Sequence, residues 1–314
     1  MVYKSGGGAE YAYTKVDPPQ FFPAIGRIKN VDFPWNFGFR AITGYNFSHD
    51  GWDLCAEYTM FNNRTSKSCS AKLQNIIIPL KGSASIASTE GGVFVYGLQA
   101  KSHYEVDFRS LDVKLGRHFF VSKRLSLHPK MGLMSIWLDL QQGEKYRGGD
   151  LVLDVANNDI FFGTILNSDF FTVQDINHYK GFGPKTEVGI NYYLGSGFSC
   201  IGEAAIGMIF GLFRVQHKEK FTGRHTPRVR LREKHHNFSP VLHLDLGLAY
   251  QTYFNDRRNC LSFRLGCEYN YFWRVNQMKR VTSIIEFFNP GVRYASLSED
   301  ISIVGVTFNT RVDF

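Results

Sequence analysis

Apolar side chains recur at every second position through long stretches of this chain, which is the period of a strand and not of a helix. In the last segment Val304, Val306, Phe308, Val312 and Phe314 share one face, while Thr307, Asn309, Arg311 and Asp313 share the other. Leu242, Leu244, Leu246, Leu248, Tyr250 and Phe254 alternate with His243, Asp245, Gly247, Ala249 and Gln251. Leu261, Phe263, Leu265, Cys267, Tyr269, Tyr271 and Trp273 alternate with Ser262, Arg264, Gly266, Glu268 and Asn270. Pro184, Val188, Ile190, Tyr192 and Leu194 alternate with Lys185, Glu187, Gly189 and Asn191. Runs of ten or more alternating residues are about twice the usual length of a globular strand. One face is apolar and aromatic, and the other carries glycine and charges of both signs.

Two architectures accept such strands. A soluble sandwich turns the apolar face to its core, whereas a membrane barrel turns it to lipid and lines its lumen with the charges. Three features favour the barrel: the strand length, aromatics gathered near strand ends (Trp52, Tyr58, Trp137, Tyr253, Trp273), and a chain that ends in Phe314. Aromatic residues make up 15% of the sequence, which suits pleated, half-buried surfaces. Mean hydropathy is −0.20, and the longest nearly apolar run covers only residues 204–213. A membrane-spanning helix needs ~20 apolar residues, so a helical membrane protein is excluded, while a barrel strand needs only ~9–11. The opening residues 1–8 hold no apolar h-region and no cleavage site, so no export signal is visible there, and a soluble β-protein stays as a third reading.

Connections between candidate strands alternate in size. Short ones fall at residues 48–51, 121–124, 195–197 and 255–259, and long polar ones at roughly 64–103, 140–180, 217–238 and 275–300. That is the outer-membrane plan, with short turns in the periplasm and long loops outside. Strands bracketed in this way begin near Asn36, Trp52, Tyr104, Leu125, Phe182, Phe198, Pro240, Cys260 and Ser302. The expected fold is all-β, an antiparallel up-and-down transmembrane β-barrel of residues 36–314. About nine or ten strands are visible, twelve is the upper count, and the N-terminal strand is missing. Residues 1–35 are an N-terminal remnant and surface loop, and the expected closure is imperfect, either by the Asn36 strand and the C-terminal strand coming together or by residues 8–16 serving as a short substitute for the missing strand.

No enzyme motif is present: there is no P-loop and no G-x-S-x-G, and the expectation is a non-enzyme with no cofactor. His217, His225, His235 and His236 lack the fixed spacing of a metal site, so no metal is expected. The lumen row comprises Arg40, Glu57, Lys114, Lys130, Lys185, Glu187, Glu203, Asp245, Arg264, Glu268 and Arg311, together with Asp53, Asp112 and Asp313. Such charges either set ion selectivity in an open pore or pair across a narrow barrel and fill it. A basic stretch holds Lys218, Lys220, Arg224, Arg228, Arg230, Arg232 and Lys234, opposed only by Glu219 and Glu233. Flanked by membrane-type strands, it suits outer-membrane lipid and lipopolysaccharide phosphates and not nucleic acid; a plain solvated strand extension is the alternative. The five cysteines Cys55, Cys69, Cys200, Cys260 and Cys267 leave at least one thiol unpaired or bridging to another chain in a disulfide-linked or non-covalent homo-oligomer, unless they are merely small apolar strand residues.

Several blocks resemble one family. The runs 37–40, 44–45 and 49–54 (FGFR, GY and HDGWDL) are similar to the Legionella-type major outer-membrane proteins, which also occur in chlamydia-related bacteria. So is LGRHFFVS at 115–122 followed by LSLHP at 125–129, and the terminal TRVDF resembles the family's closing strand. The resemblance implies a bacterial outer-membrane barrel with porin-like passage of small solutes and a place in an abundant surface coat. It also implies that Phe314 is an assembly signal read by the barrel assembly machinery. The rival to a diffusion pore is a surface structural or adhesion barrel with a closed lumen.

Overall fold

The computed structural model describes the chain apart from residues 1, 7–8, 17–25, 49, 72–74, 83–84, 87–91, 154–160, 222–228, 255–258, 285–290, 297 and 314. Every regular element among the described residues is a strand. They are β1 (Val2–Gly6), β2 (Glu10–Val16), β3 (Gly26–Asn30), β4 (Asn36–Asn46), β5 (Trp52–Ser70) and β6 (Asn75–Pro79). Next come β7 (Ser85–Ile86), β8 (Gly92–Tyr96), β9 (Gln99–Arg117), β10 (Phe119–Phe120), β11 (Leu125–Leu153) and β12 (Phe161–Gly195). The last are β13 (Phe198–Phe221), β14 (Val229–Phe254), β15 (Asn259–Asn276), β16 (Lys279–Ile284), β17 (Gly291–Ser296) and β18 (Glu299–Asp313).

Antiparallel ladders run β12–β13–β14–β15–β18–β1–β4–β5–β9–β11, and β11 pairs back onto β12, so the circuit of ten staves returns to its start. One joint is thin. β1 pairs with Ser302–Val306 of β18 but meets β4 only at Val2↔Phe37 and Tyr3↔Asn36. The tenth place is therefore filled by residues 2–6, which had been expected in the 1–35 remnant, and not by residues 8–16. β2 instead joins β3 and β6 in a small sheet against the inner wall at the outer end. There Tyr146 Oη donates to the Tyr11 carbonyl at 2.5 Å, and Tyr11, Ala12 and Ile77 are buried.

Turn chemistry fixes the periplasmic ends. Asp50 and Gly51 both have positive φ (62° and 64°), the conformation a tight hairpin requires, and Phe47 N donates to Trp52 O at 2.8 Å across it. At the other end the staves reach much further than the alternation near the membrane suggests. β9 begins at Gln99, β12 at Phe161 and β14 at Val229, so much of what reads as long loop is strand. The reason lies in side-chain polarity. On β9 the outward row is Leu111, Val113 and Leu115 near the turn, but Lys101, His103, Glu105, Asp107 and Arg109 beyond it. The inward row changes the opposite way, from Asp112 and Lys114 to Tyr104, Val106 and Phe108, all buried. A polar outward row hides the strand from a search for greasy faces.

The barrel is thus built in two storeys. In the lower belt, apolar side chains point outward between two aromatic girdles: Tyr45, Trp52, Phe119, Tyr192, Phe198, Tyr250 and Phe263 at the turn end, and Trp137, Phe182, Phe210, Phe238, Tyr271 and Trp273 at the other. Above the second girdle the wall is polar outside, and the interior holds a connected apolar core beside buried polar groups such as Gln142, Glu144 and Asn177. The core includes Tyr104, Phe108, Ile136, Leu138, Leu140, Phe171, Val173, Phe213, Val215 and Phe272. Each such side chain contributes about 1.5–3 kcal/mol when buried.

Candidate functional site in the lumen and on the outer wall

Inward positions of the belt carry charge, and the ladders bring opposite signs together. Arg40 on β4 reaches Glu57 on β5 (Nε–Oε1 2.9 Å) and Glu268 on β15 (Nη2–Oε1 2.6 Å and Oε2 2.7 Å). Lys114 Nζ on β9 lies 2.9 Å from both Glu57 Oε2 and Glu187 Oε2, and Lys130 Nζ on β11 lies 2.7 Å from Glu187 Oε1. Glu268–Arg40–Glu57–Lys114–Glu187–Lys130 is consequently one chain of alternating sign that joins six staves through the lumen. Lys185 pairs with Asp112 at 2.5 Å, and Arg264 with Glu203 at 2.8 Å and Asp245 at 3.0 Å. His243 Nδ1 meets Asn270 Oδ1 at 2.8 Å and lies 3.5 Å from Glu268. Of the eleven side chains expected to line the lumen, ten enter these pairs. Arg311 sits on the same row but at the open rim, 64% exposed, and among the described residues pairs only with Asp313 two residues on.

Above the belt a second polar group is buried within the apolar core. His217 Nδ1 lies 2.6 Å from Asp175 Oδ1, and Nε2 lies 2.9 Å from Glu219 Oε1, with the ring fully buried. Burial alone would depress the imidazole pKa, but the hydrogen bonds to Asp175 and Glu219 outweigh it and raise it to about 9. Glu144, facing the same group, is pushed to about 8, first by burial and then by the Asp175 charge. With both ring nitrogens engaged by carboxylates, His217 is an imidazolium clamp between β12 and β13.

Where it is described, the basic stretch is strand and not loop. It occupies the outer wall of β13 and β14 just above the girdle, where Arg214↔Lys234 and Lys218↔Arg230 are direct cross-strand pairs and Arg232 stands opposite Gln216. Lys220 continues the row. The two acids that seem to oppose it in sequence, Glu219 and Glu233, point the other way. Glu219 holds His217, and Glu233 pairs with Lys279 and His235. Among the described residues none of the six basic side chains makes an ion pair. Arg214, outside the basic stretch in sequence, belongs to this ridge; even-numbered parity continued down β13 is the signal that finds it. Arg224, Arg228 and Phe314 lie outside the described residues.

A ring of antiparallel staves, apolar outside between two aromatic girdles and ion-paired within, defines an outer-membrane β-barrel. A family model for the Legionella pneumophila major outer membrane protein precursor matches residues 3–314, and the chain belongs to that family. Its place is the bacterial outer membrane. The outer membrane protease OmpT from Escherichia coli is a similar solved structure, at TM-score 0.44 and 10% identity, covering 99% of this chain and 96% of that one. No curated protein matches.

Proposed function

We propose that this barrel serves as a surface-structural protein whose lumen is closed at rest, with the strand extension as its working surface. The observation that supports this is the alternating ion-pair chain through the belt, capped by an apolar core. Ions crossing such a barrel would have to separate pairs whose side chains are largely withdrawn from water, which costs several kcal/mol for each buried charge left without its partner. Small-solute passage, the reading that the family resemblance implies, then requires those pairs to part. Purified protein in a planar bilayer distinguishes the two: no stepwise conductance is expected from the unaltered chain, and steps are expected once Lys114→Ala and Glu187→Ala are combined. Sustained steps from the unaltered chain would overturn the closed reading.

The ridge on β13 and β14 is read as the contact for lipopolysaccharide phosphates, which lie at the level just above the outer girdle. Cross-strand like charges are unfavourable by themselves and become favourable against a shared anion. Replacing Arg214, Lys218, Arg230 and Lys234 by Ser should abolish co-migration with lipopolysaccharide; unchanged co-migration would count against it. The chain is also read as non-catalytic: its sequence holds no P-loop and no G-x-S-x-G, and the buried His217 has both ring nitrogens engaged by carboxylates. Hydrolysis of peptide or lipid substrates that disappears in His217→Gln would reverse that.

A further inference from the structure

At the periplasmic rim three successive staves deliver two imidazoles and a carboxylate to one spot. Asp53 is the second residue of β5, His118 follows the last residue of β9, and His128 is the fourth residue of β11. His128 Nε2 lies 2.6 Å from Asp53 Oδ1, and the rings of His118 and His128 stack with centroids 3.6 Å apart. One ligand-capable atom from each of the three lies within 4.8 Å of the others. Gly116 makes the meeting feasible. It pairs with Asp53 on one side and Lys130 on the other, and a Cβ there would stand 2.6 Å from His128 Nε2 and 3.0 Å from Asp53 Oδ1. The bare backbone at 116 is therefore a cradle over which the carboxylate and the imidazole meet.

We infer that Asp53, His118 and His128 form a binding site for a divalent transition metal of the zinc class. Imidazole nitrogen and carboxylate oxygen are ligands that zinc takes at 2.0–2.2 Å, and a tetrahedron of such bonds spaces its ligand atoms by about 3.3 Å. Drawing the three together requires movement of His118, which is exposed at a strand end and free to supply it. The proton shared across the 2.6 Å contact between His128 and Asp53 leaves to solvent as the metal takes its place. Three protein ligands leave the fourth position to water. Of the neighbouring cations, Lys130 is held by Glu187 and Arg311 by Asp313, so neither fills the site itself. A bound metal would tie β5, β9 and β11 together where their hydrogen-bonded ladders end. Asp53 is distant in sequence from His118 and His128, which flank the turn between β9 and β11, so no spacing motif reveals the three together.

The test uses the refolded full chain in detergent, titrated with zinc against a chelating dye, with magnesium and calcium as comparators. One zinc per chain is expected, with no comparable binding of the other two. His118→Ala and His128→Ala should each weaken zinc binding about a hundredfold or more, beyond the 10–100-fold that loss of a supporting partner costs. His236→Ala, on the outer wall, should leave it unchanged. Heat-modifiable gel mobility confirms folding of each variant, and His118→Ala, altering an exposed side chain, keeps the test decisive if His128→Ala misfolds. Absence of stoichiometric zinc binding in the unaltered chain, or binding that survives in His118→Ala, would overturn the site.

Discussion

The two ends of β9 follow the same period and obey opposite rules. Near the turn Leu111, Val113 and Leu115 face out and Asp112 and Lys114 face in; further along, Asp107 and Arg109 face out and Phe108, Val106 and Tyr104 face in. Backbone pairing is continuous through the change, from Trp52↔Arg117 to Ser70↔Gln99 on one side. What differs is the medium beyond the wall. Where hydrocarbon lies outside, apolar groups gain nothing from the interior, and the lumen can hold charge. Where water lies outside, the hydrophobic effect again drives apolar groups inward. The lower storey is a membrane protein and the upper storey a soluble one, sharing the same strands.

The largest effect should come from breaking the charged interior of the lower storey. Glu187 serves both Lys114 and Lys130, at 2.9 and 2.7 Å. Glu187→Gln leaves two buried ammonium groups short of a partner and should destabilise the barrel by about 3–5 kcal/mol in urea unfolding from lipid or detergent. A change below 1 kcal/mol would mean that water, and not Glu187, solvates those lysines, which would favour an open lumen.

Next comes the outer surface. Leu246 faces lipid at 70% exposure, whereas Lys218 lies on the same kind of outward row in the upper storey. Leu246→Arg should lower stability by about 2–4 kcal/mol in lipid vesicles, while Lys218→Leu should shift it by no more than about 0.5 kcal/mol. Equal effects at the two positions would dissolve the boundary between the storeys.

The belt was legible in the sequence because long alternation with a greasy outward face fits few folds besides a membrane barrel, and Leu242, Leu244, Leu246 and Leu248 display it on β14. The extension was not, because Arg230, Arg232 and Lys234 on an outward row look like a solvated loop unless their neighbours Leu231, Glu233 and His235 are recognised as an inner row. β1 was hidden for another reason: five residues are too few to display a period. The lumen charges could be named by phase, but which of them meet depends on staves that are distant in sequence, as with Arg40 and Glu268. The tenth stave of the ring is that same short strand.

The upper core should respond to pH through His217. Its pKa is about 9 in the fold against 6.5 for the free ring, so the folded state holds a proton that the unfolded state has lost between those values. The stabilisation is fully present below pH 6.5 and is lost as pH rises through 9, by at most about 3 kcal/mol. Glu144, raised to about 8, makes stability fall over the lower window from 4.5 to 8. Urea midpoints measured from pH 6 to 10 should therefore decline, and His217→Gln should flatten the portion above 6.5. A profile unaffected by His217→Gln would place the proton elsewhere.

The smallest effect is the most diagnostic of the outer wall. Lys218 and Arg230 are directly opposed on β13 and β14, as are Arg214 and Lys234, and the acids Glu219 and Glu233 beside them in sequence are turned inward. Like charges in direct cross-strand register are destabilising by about 0.2–1 kcal/mol, and salt screens them. Lys218→Ser should thus stabilise the protein slightly in detergent at low ionic strength, and the gain should vanish in about 1 M salt, where screening is nearly complete. Adding lipopolysaccharide should reverse the sign, since the intact ridge then gains phosphate contacts that the variant lacks. If Lys218→Ser stays neutral under all three conditions, the ridge is only a solvated wall, and the upper storey differs from the lower by exposure to water alone.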